Sequence, residues 1–255
     1  MSSWALVTGA TAGIGESFSR LLAANRYNLV LVARDLPRLQ ERAKALEEKF
    51  GIKTHVIQAD LSTDEGCMKV EQHITENQID VLINNAGFGT SKPFTMSTLE
   101  IEQQLLDVLV RTPMRLMHVA LPLMKQRNNG IIINVSSVAG YIAGGSYSAA
   151  KSYLTVLTES LHTELAPTNV KISALCPGFT RTEFHQRGKM SMKALPNFLW
   201  LNSDRLVEQA WRDALKGEAV SVPGWQYKLL LVVVNLVPRS IVRKVGMNLR
   251  AKQRK

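Results

Sequence analysis

Apolar residues fall into two alternating patterns along the chain. Short runs rich in Val, Ile and Leu occur at Trp4–Thr8, Asn28–Ala33, Thr54–Ala59, Val81–Asn84, Gly130–Val135, Lys171–Leu175 and Ala219–Val222. Several are apolar throughout, the pattern of parallel strands covered on both faces. Between them the spacing is helical. The clearest case is Leu36, Leu39, Ala43, Leu46 and Phe50, with Asp35 placed as N-cap and Pro37 in the first turn. A second runs through Ala150, Leu154, Leu157, Leu161 and Leu165. Ile101–Arg127 also has helical spacing but contains Pro113 and Pro122, which predicts a kinked or divided helix. Repeated βα units predict an α/β fold, a Rossmann-like doubly wound parallel sheet of about seven strands flanked by helices. With no linker or repeat to divide it, the span 1–255 reads as a single domain.

Composition adds boundaries to that picture. The 255 residues are 45% hydrophobic and 20% charged, the profile of a globular chain with a full core. Cys67 and Cys176 are far apart and outside any CxxC pattern, as expected in a reducing compartment. The N-terminal residues have no signal-like charge and apolar blocks, and the apolar run Leu229–Val237, broken by Asn235, is too short to span a bilayer. A cytoplasmic protein is therefore expected. The net charge of +10 is concentrated at one end, where Arg239, Arg243, Lys244, Arg250, Lys252, Arg254 and Lys255 occur without an acidic residue. Nucleic-acid binding would need a basic face spread over the fold, so no nucleic-acid partner is expected. His55, His73, His118, His162 and His185 are scattered, so no metal site is expected.

Candidate chemistry begins at "TGATAGIG", Thr8–Gly15, between the first strand and the first helix. Gly9 suits the tight turn, Gly13 lets backbone approach a pyrophosphate, and Gly15 permits close helix–strand packing. The helix N-terminus offers free N–H groups and a positive dipole. A P-loop is not expected, because the stretch lacks the Gly-Lys-Ser/Thr ending. At the end of the second strand, "LVLVARD", Ala33 stands where an acidic ribose ligand is usual and Arg34 follows. An arginine there accommodates a 2′-phosphate, so NADP(H) is favoured over NAD(H). The other reading makes Asp35 the reader and Arg34 a solvated residue, but Asp35 already serves as helix cap.

Three motifs in order, "TGATAGIG", "NNAG" at 84–87 and "YSAAK" at 147–151, make the chain resemble the short-chain dehydrogenase/reductase family. The similarity runs from about residue 4 to the Pro-Gly turn at 177–178 and takes in "ADL" at 59–61 and "PGFTRT" at 177–182. It implies that Thr11, Ala12 and Ile14 join the three glycines around the cofactor. Asp60 and Leu61 would lie by the adenine, and Asn84, Ala86 and Gly87 would line the cleft. Pro177, Gly178, Thr180 and Thr182 would meet the nicotinamide end. Ser137 matches the serine that binds the substrate oxygen, with Ser136 as the other candidate, although alternation should turn it to the opposite side. Two features depart from the family. Leu109, in "DVL", replaces an asparagine that helps hold a relay water, and the ten-residue step from Ser137 to Tyr147 is short.

Reduction of a ketone needs a hydride on carbon and a proton for oxygen. A free phenol is too weak an acid for exchange at neutral pH, and a nearby ammonium corrects this. Tyr147 and Lys151, four apart on a helix, share a face. Tyr147 is therefore the expected acid, with Lys151 as its tuner and as a ligand of the nicotinamide ribose, and Ser137 on the reacting oxygen. Tyr153 lies roughly 200° around the helix from Lys151 and is not the acid. Residues 182–203 fall at the family's substrate loop, where Phe184, Met190, Met192, Leu195, Phe198, Leu199 and Trp200 would form an apolar wall for a lipophilic carbonyl or secondary alcohol. A basic C-terminal helix and tail, about 226–255, offers a peripheral membrane contact or a frayed solvated end. A homodimer or homotetramer is expected. The leading expectation is an NADP(H)-dependent oxidoreductase. A 3-ketoacyl- or steroid-type reductase is the narrower alternative, and a catalytically impaired NADPH-binding regulator or scaffold the alternative of another class.

Overall fold

The computed structural model describes residues 3–90, 92–184 and 196–244. Seven parallel strands form one sheet: β1 (Trp4–Thr8), β2 (Asn28–Ala33), β3 (Thr54–Gln58), β4 (Val81–Asn84), β5 (Gly130–Val135), β6 (Val170–Leu175) and β7 (Val220–Ser221). Their spatial order is β3-β2-β1-β4-β5-β6-β7. The chain winds outward from β1 in one direction and from β4 in the other. The ends of β1 and β4 thus form the switch point where open α/β sheets bind ligands.

Alternate strand residues feed two apolar layers. Ala5, Val7, Leu29 and Leu31 pack with Phe18, Leu22 and Leu39 from α1 (Gly13–Ala24) and α2 (Leu36–Phe50). Leu6, Val30, Val32 and Leu82 face the other way, against Val70, Leu116 and Leu154 from α3 (Asp64–Glu76), α5 (Thr112–Gln126) and α6 (Ser146–Leu165). Burial of each such side chain is worth about 1.5–3 kcal/mol, which explains why the strand runs are apolar on both faces. The helix ends follow local chemistry. Asp35 Oδ1 accepts from Arg38 N at 3.1 Å to start α2, and Gly51, at φ 67°, ends it.

The segment 101–127 is divided as expected, just ahead of Pro113. α4 (Leu99–Leu106) passes through a π-helical turn, Asp107–Arg111, into α5. Pro113 follows directly on that turn, where its missing N–H leaves the continuous helical run one backbone donor short, and Pro122 is accommodated inside α5. The turn is fastened from both sides. Arg111 Nε pairs with Asp107 Oδ1 at 3.0 Å, and Thr112 Oγ1 donates to Leu61 O at 2.6 Å. Two further helices follow, α7 (Ser203–Lys216) and α8 (Trp225–Leu236), and residues 239–244 are again helical. The last strand is shorter than the apolar pattern predicts, because β7 is an edge strand paired only at Ala174 and Leu175 of β6.

Candidate active site

The glycine turn is held by the strand beside it. Thr8 Oγ1 accepts from the N–H groups of Asn85 (2.9 Å) and Ala86 (3.0 Å), and Asn85 Nδ2 donates to Thr8 O (2.8 Å) and Gly9 O (3.2 Å). A Cβ on Gly15 would lie 2.3 Å from both Asn85 Nδ2 and Gly9 O, so only glycine permits this clasp. Gly13, at φ 58°, has the side chain of Thr182 across from it, with 2.9 Å between a built Cβ and Thr182 Cβ. Thr11 is buried, while Ala12 takes the N-cap position and Ile14 lies in the first turn of α1. The sequence reading missed Asn85. Its signal was the second asparagine of "NNAG", just past the end of a strand.

Asn84 lines a small cavity with Ala86, Leu109 and Lys151. It is buried, and its Nδ2 donates to Asn134 Oδ1 at 2.9 Å, joining β4 to β5. Leu61 turns into the core, leaving its neighbour Asp60 at the groove. Burial works against ionisation of Asp60. Hydrogen bonds from Ser62 N and Ser62 Oγ and the charge of Arg34 outweigh it and hold the carboxyl below its ordinary range. Arg34 is well exposed at the end of β2, 4.0 Å from Asp60 Oδ2. Arg38, one turn into α2, makes a two-pronged pair with Glu183 at 3.1 and 2.5 Å, tying the adenine side of the groove to the start of the substrate segment. The sequence reading missed this bridge, whose partners lie 145 residues apart.

The catalytic candidates meet at the ends of β5 and α6. Ser137 follows β5, with its Oγ accepting from Ala139 N at 3.1 Å and donating to Pro177 O at 3.4 Å. Ser136 is turned the other way and buried, its Oγ donating to Lys151 O at 2.8 Å. The short step to Tyr147 is made by a 3-10 turn, Val138–Tyr141, which lies directly on α6. A Cβ on Gly140 would come within 2.9 Å of Ser152 N. Gly145, at φ 85°, then starts α6. Tyr147 packs beside Leu105, Leu109 and Ala150, and its ring centre is 5.8 Å from that of Phe184. Lys151 Nζ stands 5.9 Å from the Tyr147 ring centre and donates to Val135 O at 2.6 Å. Lys151 is only 5% exposed, and burial pushes its pKa down to about 8. Tyr153 is exposed on the far side.

The segment after β6 closes the other wall. Pro177 O receives Val138 N as well as Ser137 Oγ. Gly178 lies under the Tyr227 ring, where a built Cβ would be 1.9 Å from Tyr227 Cζ. Thr180 is buried and bridges to Leu201. Of the expected apolar wall, Phe184, Leu199 and Trp200 are partly buried and Phe198 is exposed. Met190, Met192 and Leu195 lie outside the described residues, as does the basic run from Arg250 to Lys255. Among the described residues no group of His, Cys, Asp and Glu could hold a metal ion, and no helix is long and apolar enough to cross a membrane.

The residues present fit a dinucleotide. Bare backbone at Gly9, Gly13 and Gly15 meets the start of α1, Arg34 and Asp60 flank the end of β2, and the Tyr147–Lys151 pair stands where a nicotinamide would end. The comparisons agree with that fit. Residues 3–192 match the short chain dehydrogenase family model. The very-long-chain 3-oxoacyl-CoA reductase of Rattus norvegicus is 29% identical over 190 residues, 72% of this chain and 61% of the rat protein, so the match spans under two thirds of that relative's length. The 3-oxoacyl-(acyl-carrier-protein) reductase FabG of Aquifex aeolicus is 35% identical over 184 residues, 70% of this chain and 74% of that one. A short-chain dehydrogenase from Sphingobium yanoikuyae, solved in complex with NADPH, superposes with a TM-score of 0.84 at 30% identity, covering 92% of this chain and 96% of its own. Motif, topology and site geometry converge with these matches, and the chain belongs to the short-chain dehydrogenase family.

Proposed function

We propose that the protein is an NADP(H)-dependent oxidoreductase that interconverts an apolar carbonyl compound and its secondary alcohol. The observation that carries this reading is the buried Lys151 ammonium beside the Tyr147 ring at the mouth of the glycine-turn groove. When bound, the nicotinamide supplies or accepts the hydride. Tyr147 gives its phenolic proton to the carbonyl oxygen during reduction and regains it from solvent. Lys151 stabilises the phenolate left behind, and its ammonium has three donors, one of them engaged by Val135 O. Ser137 Oγ, held only at 3.4 Å by Pro177 O, is free to turn its proton toward the developing oxyanion.

NADP(H) is favoured by Arg34, whose exposed guanidinium has a single long contact with Asp60 and can receive a 2′-phosphate, with Arg38 one turn beyond. The apolar substrate is favoured by Phe184 beside Tyr147 and by the partly buried Leu199 and Trp200 of the same expected loop. The names of the rat and Aquifex relatives make a 3-oxoacyl thioester the first substrate to try. NADPH consumption should be followed over 3-oxoacyl thioesters, ketosteroids and bulky ketones. Tyr147→Phe is expected to lose roughly 100-fold or more of the turnover while keeping NADPH affinity. Normal turnover in that variant would overturn the assignment. NADPH binding with no turnover on any substrate would favour the regulatory reading.

A further inference from the structure

Helix α8 shows its apolar face to the outside. Trp225, Leu229, Val232, Val233 and Leu236 are 72%, 56%, 55%, 47% and 79% exposed. At about 100° per residue these five fall within one arc of roughly 100°. The opposite face holds the helix to the body. Tyr227 is 3% exposed, with its hydroxyl donating to Leu199 O at 2.6 Å and accepting from Phe179 N at 3.0 Å. Leu231, one turn on, is also buried. A surface helix ordinarily turns such a stripe inward. Here the inward face is already occupied, so the outward stripe is surplus to the fold.

Charge surrounds the stripe with one sign. Lys228 lies at its flank, and Arg239, Arg243 and Lys244 follow in the next turn, all exposed. None of the four has an ion pair among the described residues. The sequence has no Asp or Glu after Glu218. A two-fold contact between copies through α8 would bring these cations against one another, since both sides of such an interface are the same patch. An anionic lipid surface pairs the cations and accepts the apolar stripe together. Twelve residues are too few to cross a bilayer, so the helix would lie in the headgroup plane.

We propose that the outer face of α8, with Lys228, Arg239, Arg243 and Lys244, docks the protein on anionic bilayers. Gln226 Nε2 donates to Phe198 O at 3.1 Å, and Tyr227 covers Gly178, so the docking face adjoins the substrate wall. A lipophilic substrate would then arrive from the membrane side. That consequence rests on the oxidoreductase reading, whereas docking itself does not.

The test is co-sedimentation of the full chain with phosphatidylcholine vesicles with and without phosphatidylglycerol, which reads binding and not turnover. Binding is expected to rise about tenfold or more with the anionic lipid and to fall at high salt. Leu229→Glu/Leu236→Glu and Arg239→Glu/Arg243→Glu should each return it to the neutral-vesicle level, with unchanged circular dichroism. Both pairs sit at exposed positions that leave Tyr227 and Leu231 in place. A blue shift of tryptophan emission on adding anionic vesicles, absent in Trp225→Phe, would place α8 at the lipid. Equal binding to both vesicle types, or full binding by either pair variant, would overturn the proposal. So would a dimer in sedimentation velocity that Leu229→Glu dissociates, because the stripe would then be a subunit contact.

Discussion

Lys151 allows a quantitative test of the site, because its burial acts on stability and on chemistry in opposite directions. Its pKa falls from 10.5 to about 8 on folding, and desolvation is the main cause. The folded value lies below the unfolded one, so the unfolded chain binds the extra proton between those pH values. The penalty for holding the ammonium is therefore present in full below pH 8 and relieved as pH rises toward 10.5. One pKa unit corresponds to about 1.4 kcal/mol, which gives a penalty of about 3 kcal/mol at pH 7 and about 1 kcal/mol at pH 10. Lys151→Met removes the titration altogether. It also strips Val135 O of its donor, at a pH-independent cost of about 1–3 kcal/mol, so the sign of the change at one pH is not the test. The difference between pH values is. In urea unfolding, the stability of Lys151→Met relative to wild type should drop by about 2 kcal/mol between pH 7 and pH 10. A difference that stays constant over that range would show that Lys151 does not carry a buried charge, and the role given to it with Tyr147 would fall with it. In the wild type, turnover should likewise decline as pH rises through about 8.

Two further substitutions test the ends of the groove. Arg34→Glu should raise the KM for NADPH about 10- to 100-fold and leave that for NADH nearly unchanged or lower, as expected for loss of one charge-assisted contact to a 2′-phosphate. Steady-state kinetics with the two cofactors reads this, and parallel losses for both would remove Arg34 from phosphate recognition. Gly178→Ala should destabilise the protein by about 1–3 kcal/mol or more, since the new methyl would overlap the Tyr227 ring, 1.9 Å from Cζ. Chemical denaturation measures it, and an unchanged midpoint would mean that the ring does not lie over Gly178.

What the sequence revealed depended on whether a signal is local. The strands Trp4–Thr8, Asn28–Ala33, Val81–Asn84 and Gly130–Val135 have the bounds their apolar runs predict, because each lies inside the sheet and each residue is selected by burial on one face or the other. Helix α2 is equally legible, since Asp35 and Gly51 cap it through contacts within a few residues. Alternation also separated Ser137 from Ser136 correctly. Asn85 and the Arg38–Glu183 bridge were hidden for the opposite reason. Each acts on a segment far away in sequence, and a single polar residue in a loop does not reveal what it faces. Helical periodicity set Tyr147 and Tyr153 on different sides of α6 but could not place Phe184 beside the former, because that contact joins α6 to the segment after β6.

The α4–α5 segment divides just before Pro113, in the π-helical turn that contains Leu109. A wider turn changes which residues face inward. Asp107 and Arg111 remain near the surface and pair with each other, while Leu109 is 1% exposed, against Ala150 and Tyr147. Its Cδ2 would lie 2.8 Å from a Cβ built on Gly87, so it also fills the space under the "NNAG" loop. The departure from the family's asparagine therefore gives the site an apolar floor. That floor offers no side-chain amide to order a relay water, but it lowers the local polarity, and in a less polar medium the Lys151 charge acts more strongly on the neighbouring phenol. On the proposed reading, the burial that makes Lys151 costly to the fold would also strengthen its influence over Tyr147. On the proposed oxidoreductase reading, a single proton step would then rest on this largely apolar floor and the buried Lys151 ammonium, without a side-chain amide at position 109.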